Sequence, residues 1–289
     1  MRLAILGPLC RDRNIVQGIS RSRPGGVTYY AGEALARLGV DTWLFATFGA
    51  ESPCAPGELK ARLVHLPAEG TLRFENEYPS PDPDFRIQRA EIYRNEITAG
   101  MVRGLLPGNL DYIILGPLFN ADLPLELVEY LAGLDTELVL SAQGTIRYLE
   151  EGRIIWKSPE KALAFMPYLD YVFLDENELR FISRQAEIGP AARSLLGLGA
   201  GAVVVTRGEK GSRLFLGGQE YEIRAFPPRL IADPTGAGDS YLAGFLKAVE
   251  LFDSPARQGE FAAMTATLSL ESEGPFSRTA AEIIERLGW

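Results

Sequence analysis

A glycine-rich turn, Gly236-Ala237-Gly238, runs directly into Asp239 within the string IADPTGAGDSYLAGFL at residues 231–246. Where such a turn opens a helix, consecutive unpaired N–H groups face outward with no bulky side chain before them, and they cradle phosphate oxygens. A carboxylate beside developing phosphoryl charge is a poor phosphate binder. It is well placed, however, to take a proton from a hydroxyl attacking that phosphorus. The string therefore points to phosphoryl transfer, with Asp239 as base and residues 236–238 as anion hole. The same four residues alone also fit a plain tight loop, with Asp239 offsetting the helix dipole.

The elements able to hold such a turn rigidly run along the whole chain. Leu3–Leu6, Thr42–Thr47, Tyr112–Leu115, Leu138–Leu140, Tyr171–Leu174 and Ala202–Thr206 are short strand candidates. Several are continuous apolar runs, as expected of strands buried on both faces. Between them, Ala31, Ala34, Leu35 and Leu38 fall at i, i+3, i+4, i+7 ahead of Gly39. Leu242, Phe245, Leu246 and Val249 repeat that spacing just after Asp239, as do Phe261, Met264, Thr265 and Leu268 further on. The spacing predicts helices. Strands alternating with helices predict an α/β fold, a three-layer sandwich with a mostly parallel sheet between two helical layers. Two regions break the alternation. Arg11–Arg23 is polar and arginine-rich without helical period, and Thr71–Tyr93 holds TLRFENEY and FRIQRAEIY joined by PSPDPD. The expectation is one domain over residues 1–289 with a small β-sheet lid from about residues 8–24 and 71–94.

Composition removes other chemistries. A net charge of −9 argues against nucleic acid as the main partner, because backbone phosphates call for a basic face. No apolar run approaches the ~20 residues that cross a bilayer. The opening MRLAILGPLC reads as a buried strand, and Cys10 and Cys54 are too few for a disulfide framework. A cytoplasmic protein with no membrane partner is expected. His65 is the only histidine, so multi-histidine metal sites are impossible; in RLVHLPAEG it reads as a strand-end residue. A Rossmann oxidoreductase would need G-x-G-x-x-G after the first strand, where GPLCRD stands instead. Catalysis is left to carboxylates, backbone amides and a hard metal.

DPTGAGDSYLAGFL resembles the C-terminal signature of the ribokinase-like (PfkB) carbohydrate kinases, whose usual form is D-T-x-G-A-G-D. The resemblance implies Asp239 as the base, Gly236, Ala237 and Gly238 as the anion hole, and Thr235 beside the nucleotide. Asp233 would then help to organise a monovalent-cation site, as in several members. Further positions agree along the chain. ILGPLCRD fits a first strand followed by a substrate-binding acid, Asp12, five residues after Gly7. PGGVTYYAGEALARLG resembles the Gly-Gly signature, placing Gly25 and Gly26 near the sugar, with Tyr30 where an Asn often stands. VVVTRGEKGSRLF resembles the T-x-G-x-x-G nucleotide turn, which implies Thr206, Gly208 and Gly211 near ATP. YVFLDENELRFI resembles the N-x-x-E motif that places magnesium, with Asp175 in place of Asn and Glu178 kept. LVLSAQGTIR puts Gln143 and Arg147 where many relatives carry D-x-N-x-R, and FAAMTATLSLESEGP resembles the helix and loop over the adenine. Taken together the resemblance is nearest to members acting on inositols and sugar acids.

The implied activity is in-line transfer of the ATP γ-phosphoryl group to a hydroxyl of a small polyol, sugar or sugar acid. Magnesium is the expected cofactor, with potassium as an optional one. Arg11, Arg13, Arg73, Arg86 and Arg89 cluster in the lid segments, and their planar forks suit a carboxylate or phosphate on the ligand; solvated arginines on an exposed β face are the alternative. Other readings of the same fold are a nucleoside or ribose kinase and a non-catalytic sensor. The TLRFENEY edge fits either a homodimer joined through the lid or a monomer with a flap.

Overall fold

Runs of Val, Ile and Leu form parallel strands where both faces can be covered, and this governs the larger of two sheets. The structure is a computed structural model describing residues 1–16, 19–55, 57–78, 87–91 and 93–289. In chain order its strands are β1 (Arg2–Pro8), β2 (Cys10–Val16), β3 (Ile19–Gly25), β4 (Asp41–Phe48), β5 (Arg62–Pro67), β6 (Leu72–Tyr78), β7 (Ile87–Glu91) and β8 (Tyr112–Leu115). They continue with β9 (Glu137–Ser141), β10 (Arg147–Glu150), β11 (Arg153–Trp156), β12 (Tyr171–Asp175), β13 (Ala202–Thr206), β14 (Ser212–Leu216) and β15 (Gln219–Ile223). The α-helices are α1 (Val27–Arg37), α2 (Ala99–Val102), α3 (Leu125–Ala132), α4 (Glu160–Phe165), α5 (Glu176–Ser183), α6 (Ile188–Gly197), α7 (Ala237–Leu251), α8 (Pro255–Leu270) and α9 (Ala280–Leu287).

The main sheet runs β15-β14-β13-β12-β9-β8-β1-β4-β5. The strands from β13 to β5 are mutually parallel; β14 and β15 add an antiparallel margin. Side chains alternate between its two faces. Leu3, Ile5 and Val204 pack with Leu35, Phe245 and Phe261 of α1, α7 and α8. Ala4, Leu6, Val203 and Val205 pack with Leu127, Leu179 and Leu195 of α3, α5 and α6. This is a three-layer α/β sandwich, as the alternation of strands and helices predicted.

The second sheet runs β10-β11-β7-β6-β2-β3. Its β2, β3, β6 and β7 come from the two segments that broke the alternation. The arginine-rich stretch is a hairpin, β2 pairing antiparallel with β3 while its other edge pairs parallel with β6. A third hairpin, β10–β11, joins through the Arg153–Arg89 pair. It falls outside the segments expected to make up the lid. Register decides which residues face inward. Asp12 lies opposite Arg23 and Phe74, and Arg13 lies opposite Ser22 and Glu75, so even-numbered β2 positions share a face with Arg21 and Arg23.

The close contact between α7 and α8 follows from one missing side chain. A Cβ on Gly244 of α7 would stand 2.5 Å from Thr265 Oγ1 and 3.1 Å from the Ala262 Cα on α8. Gly244→Val is therefore expected to force α7 from α8 and to cost about 1–3 kcal/mol of stability, read as a lowered thermal midpoint. An unchanged midpoint would show that the contact gives way without strain.

Candidate active site

The carboxyl ends of parallel strands are where an open α/β sheet leaves a crevice, because the following loops diverge there. In this protein β12 ends on Asp175 beside Thr206 at the end of β13, and β9 ends on Ser141. A cavity of about 360 Å³ opens over these ends, within the size range of small-ligand sites. Its remaining walls come from the turn Pro234–Asp239 and from the inward face of the second sheet, including Cys10, Asp12, Phe74 and Asn76.

The anion turn is built as its sequence requires. Gly236 has φ +77° and N-caps α7, and a Cβ there would lie 2.4 Å from the Tyr30 ring. Only glycine allows both the left-handed backbone and the ring contact. The first amides of α7 thus open toward the cavity, with Asp239 in the first turn. Asp239 is half-buried. The protein around it pushes its carboxyl up to about 7; Asp12 adds to the rise and the Arg147 guanidinium opposes it.

Asp12 is buried and accepts the Cys10 thiol hydrogen at 3.3 Å. A Cβ on Gly25 would collide with that carboxylate at 2.1 Å, so Gly25 serves it by close approach without lining the cavity. Gly26, which N-caps α1, does line it. Tyr30 is almost fully buried, its hydroxyl pushed up by burial and by Asp12 and Asp233, and its oxygen has no hydrogen-bond partner among the described residues. An orphaned hydroxyl at a cavity wall is a ready ligand contact.

At the other end, Asp175 N-caps α5 by accepting from Asn177 N and Glu178 N, while Glu178 returns a bond to Asp175 N at 3.0 Å. This capping box fixes both carboxylates at the cavity edge. Burial and the neighbouring Asp175 push the Glu178 carboxyl up, against the pull of Arg147 and of a hydrogen bond with Gln143. Arg147 is buried and lines the same wall. Two carboxylates with oxygens partly committed to a helix cap suit a water-bound magnesium better than a full protein cage. Among the described residues no group of three acidic, histidine or cysteine ligands converges.

Most of the residues singled out by sequence meet in this one cavity: Asp12, Gly26, Tyr30, Gln143, Arg147, Asp175, Glu178, Thr206, Thr235 and Gly236 through Asp239. Gly208 and Gly211 flank the short turn after β13 and do not line it. Arg86 lies outside the described residues. Asp233 was expected to organise a monovalent cation. Its carboxylate accepts Thr235 N at 3.0 Å and is paired with Arg23, so a guanidinium already occupies that side. The four described lid arginines have partners of their own. Arg13 pairs with Glu75, Arg73 with Glu91 and Arg89 with both Glu75 and Glu77, and Arg11 donates to the Ser52 carbonyl. These four line a separate outer hollow and not this cavity. Asn76 and Arg23 were missed. Strand alternation carried the signal, since Asn76 lies two residues from Phe74 and Arg23 pairs with Asp12 in the β2–β3 ladder.

Comparison with known proteins agrees with this fold. Residues 149–280 match the pattern of the pfkB family carbohydrate kinases. One segment of 79 residues is 42% identical to a cytidine kinase of Thermococcus kodakarensis, covering 27% of this chain and 28% of that one. Another of 134 residues is 31% identical to a nucleoside kinase of Methanocaldococcus jannaschii, covering 45% and 43%. The matched segments thus span less than half the length of these relatives. A solved pyrophosphate-dependent kinase of the ribokinase family, in a sulfate complex, shares the fold with a TM-score of 0.86 at 24% identity over 98% of this chain and 99% of that one. The class these findings define is the ribokinase-like fold. By that fold and by residues 149–280 the chain is related to the pfkB carbohydrate kinases.

The raised Asp239 carboxyl can be read directly. With carboxyl-labelled aspartate, the resonances of Asp239 and of Asp122, which burial also pushes up to about 7, should titrate near pH 7. Asp239→Asn should remove one of them. Loss of a resonance titrating in the usual carboxylate range instead would show Asp239 to be solvated.

Proposed function

We propose that this protein is a phosphotransferase that moves the terminal phosphoryl group of a phosphoanhydride donor to a hydroxyl of a small polyol or sugar. The observation supporting this reading above others is the half-buried Asp239, directly behind a left-handed Gly236 and sharing one cavity with the buried Asp12. Base, anion hole and acceptor-orienting acid are then provided by rigid elements.

In this reading Asp12, with Asn76 and Tyr30 beside it, orients the acceptor. Asp239 takes the acceptor's proton as its oxygen attacks phosphorus, and the amides of 236–238 stabilise charge on the transferring group. Asp175 and Glu178 are the residues that would hold magnesium through water; the ion would neutralise donor charge when bound. Arg147, between Asp239 and Glu178 in its electrostatic reach, offsets the carboxylates that surround a polyanion. With the four described lid arginines committed elsewhere, a neutral polyol or sugar is the favoured acceptor over a sugar acid.

ATP is the donor implied by the sequence resemblance. Pyrophosphate belongs beside it in any test, because a structure alike in fold is described as pyrophosphate-dependent. A nucleoside acceptor is the second reading, favoured by the cytidine and nucleoside kinase segments.

The test is product formation from magnesium-ATP or magnesium-pyrophosphate against inositols, neutral sugars, sugar acids and nucleosides. One acceptor class should be used, and Asp239→Asn should lower kcat by about 100-fold or more with donor binding retained. A base raised to about 7 is protonated below that pH and ionised above it. Accordingly kcat/KM should fall about tenfold per pH unit below 7 and level off above it. Full turnover by Asp239→Asn would remove that residue from the role, and donor binding without turnover on any acceptor would favour a sensor.

A further inference from the structure

Asp233 poses an electrostatic problem for a site that must receive a polyanion. It is buried, its Oδ1 accepts Thr235 N at 3.0 Å, and it opens the very turn whose amides form the anion hole. An uncompensated carboxylate there would repel the donor at short range and low dielectric. The compensation comes from the other sheet. Arg23 on β3 reaches across and pairs with Asp233 through the oxygen opposite the Thr235 bond. Both partners are largely shielded, with side-chain exposures of 18% and 8%. The same guanidinium lies 3.5 Å from Glu273, which follows α8, and Arg21 holds Glu273 at 2.5 Å.

We infer that Arg23 is a positioning residue for phosphoryl transfer: it neutralises Asp233 and ties the second sheet to the anion turn, so that donor affinity depends on a residue of the acceptor-binding sheet. Arg23 does not line the cavity. It acts through Asp233 on the amides of 236–238. Because Asp12 lies opposite Arg23 in the β2–β3 ladder, the strand pair that orients the acceptor is also the one that steadies the donor loop. Exposed ion pairs contribute little, but one this shielded is costly to break on one side only.

The inference rests on the phosphotransferase reading, so anion binding is measured apart from turnover. Binding of magnesium-pyrophosphate to the full chain by calorimetry is compared for wild type, Arg23→Ala, Arg23→Lys and Arg23→Ala/Asp233→Asn. Arg23→Ala should weaken binding about tenfold or more, and Arg23→Lys should weaken it less. The double variant should recover most of the loss, because it removes the charge that Arg23 offsets. Low-millimolar guanidinium should restore binding to Arg23→Ala and leave wild type unchanged.

Equal binding by wild type and Arg23→Ala overturns the inference alone. So does a double variant no better than Arg23→Ala, which would make the pair a structural tie. Should Arg23→Ala fail to fold, Arg23→Lys and the double variant carry the comparison. A wild type that binds neither magnesium-pyrophosphate nor magnesium-ATP overturns the phosphotransferase reading, and this inference with it; where only one of them binds, the variants are compared with that one.

Discussion

The cavity is crowded with negative charge, and the occupant proposed for it is a polyanion. Asp12, Asp175, Glu178 and Asp239 all line it, and Asp233 stands just behind the turn. Carboxylates are what proton abstraction and metal-water binding call for, yet each one repels a phosphate. The architecture is arranged around that conflict. Three positive elements answer it: the amide-rich start of α7, Arg147 within the wall, and Arg23 on Asp233. Burial first, and a neighbouring carboxylate after it, push Asp239 and Glu178 up.

The fold supplies the rigidity that such an arrangement needs. Residues from eight stretches of the chain line the cavity; parallel strands deliver their carboxyl ends to one edge, and the turn that follows each strand is free to carry chemistry. Asp175 and Thr206 are paired in register across β12 and β13, which fixes their separation by backbone hydrogen bonds. The α5 capping box then holds Glu178 to the same strand end. On the opposite side, Gly25 and Gly236 each allow an approach that a side chain would block, to the Asp12 carboxylate and to the Tyr30 ring. Close packing thus sets the distances, and electrostatics sets the charge states.

Much of this could be read from the sequence, for a physical reason. A turn such as Gly236-Ala237-Gly238-Asp239 is local: its function depends on neighbouring residues, so its meaning is contained in a few letters. The strands of the main sheet were equally plain, because burial on both faces leaves an unbroken apolar run such as Ala202–Thr206. What could not be read depends on register and distance. Arg11 and Arg23 are chemically alike, yet the parity of the β2–β3 ladder sends one to the outer hollow and the other to Asp233, 210 positions along the chain. The β10–β11 hairpin, RYLE and RIIW around Glu151-Gly152, has the length and polarity of an ordinary surface turn. Only its pairing with β7 makes it part of the second sheet.

The lone histidine shows how the same reasoning assigns residues away from the site. His65 stacks on Phe48 with ring centroids 3.9 Å apart and hydrogen-bonds the Phe48 carbonyl at 3.0 Å. It lies on β5 at the edge of the main sheet and does not line the cavity. An imidazole titrating in the physiological range is the usual base for proton transfer near neutral pH. A carboxylate reaches that range only by being buried, and burial beside other acids is what the cavity gives Asp239. Burial, with a smaller contribution from Asp12, thus raises the proposed base, and the cations placed around a phosphate there would have to offset repulsion without undoing that rise. Arg147 sits close enough to pull Asp239 back toward ionisation, whereas Arg23 is spent on Asp233, leaving the base raised and the turn neutralised.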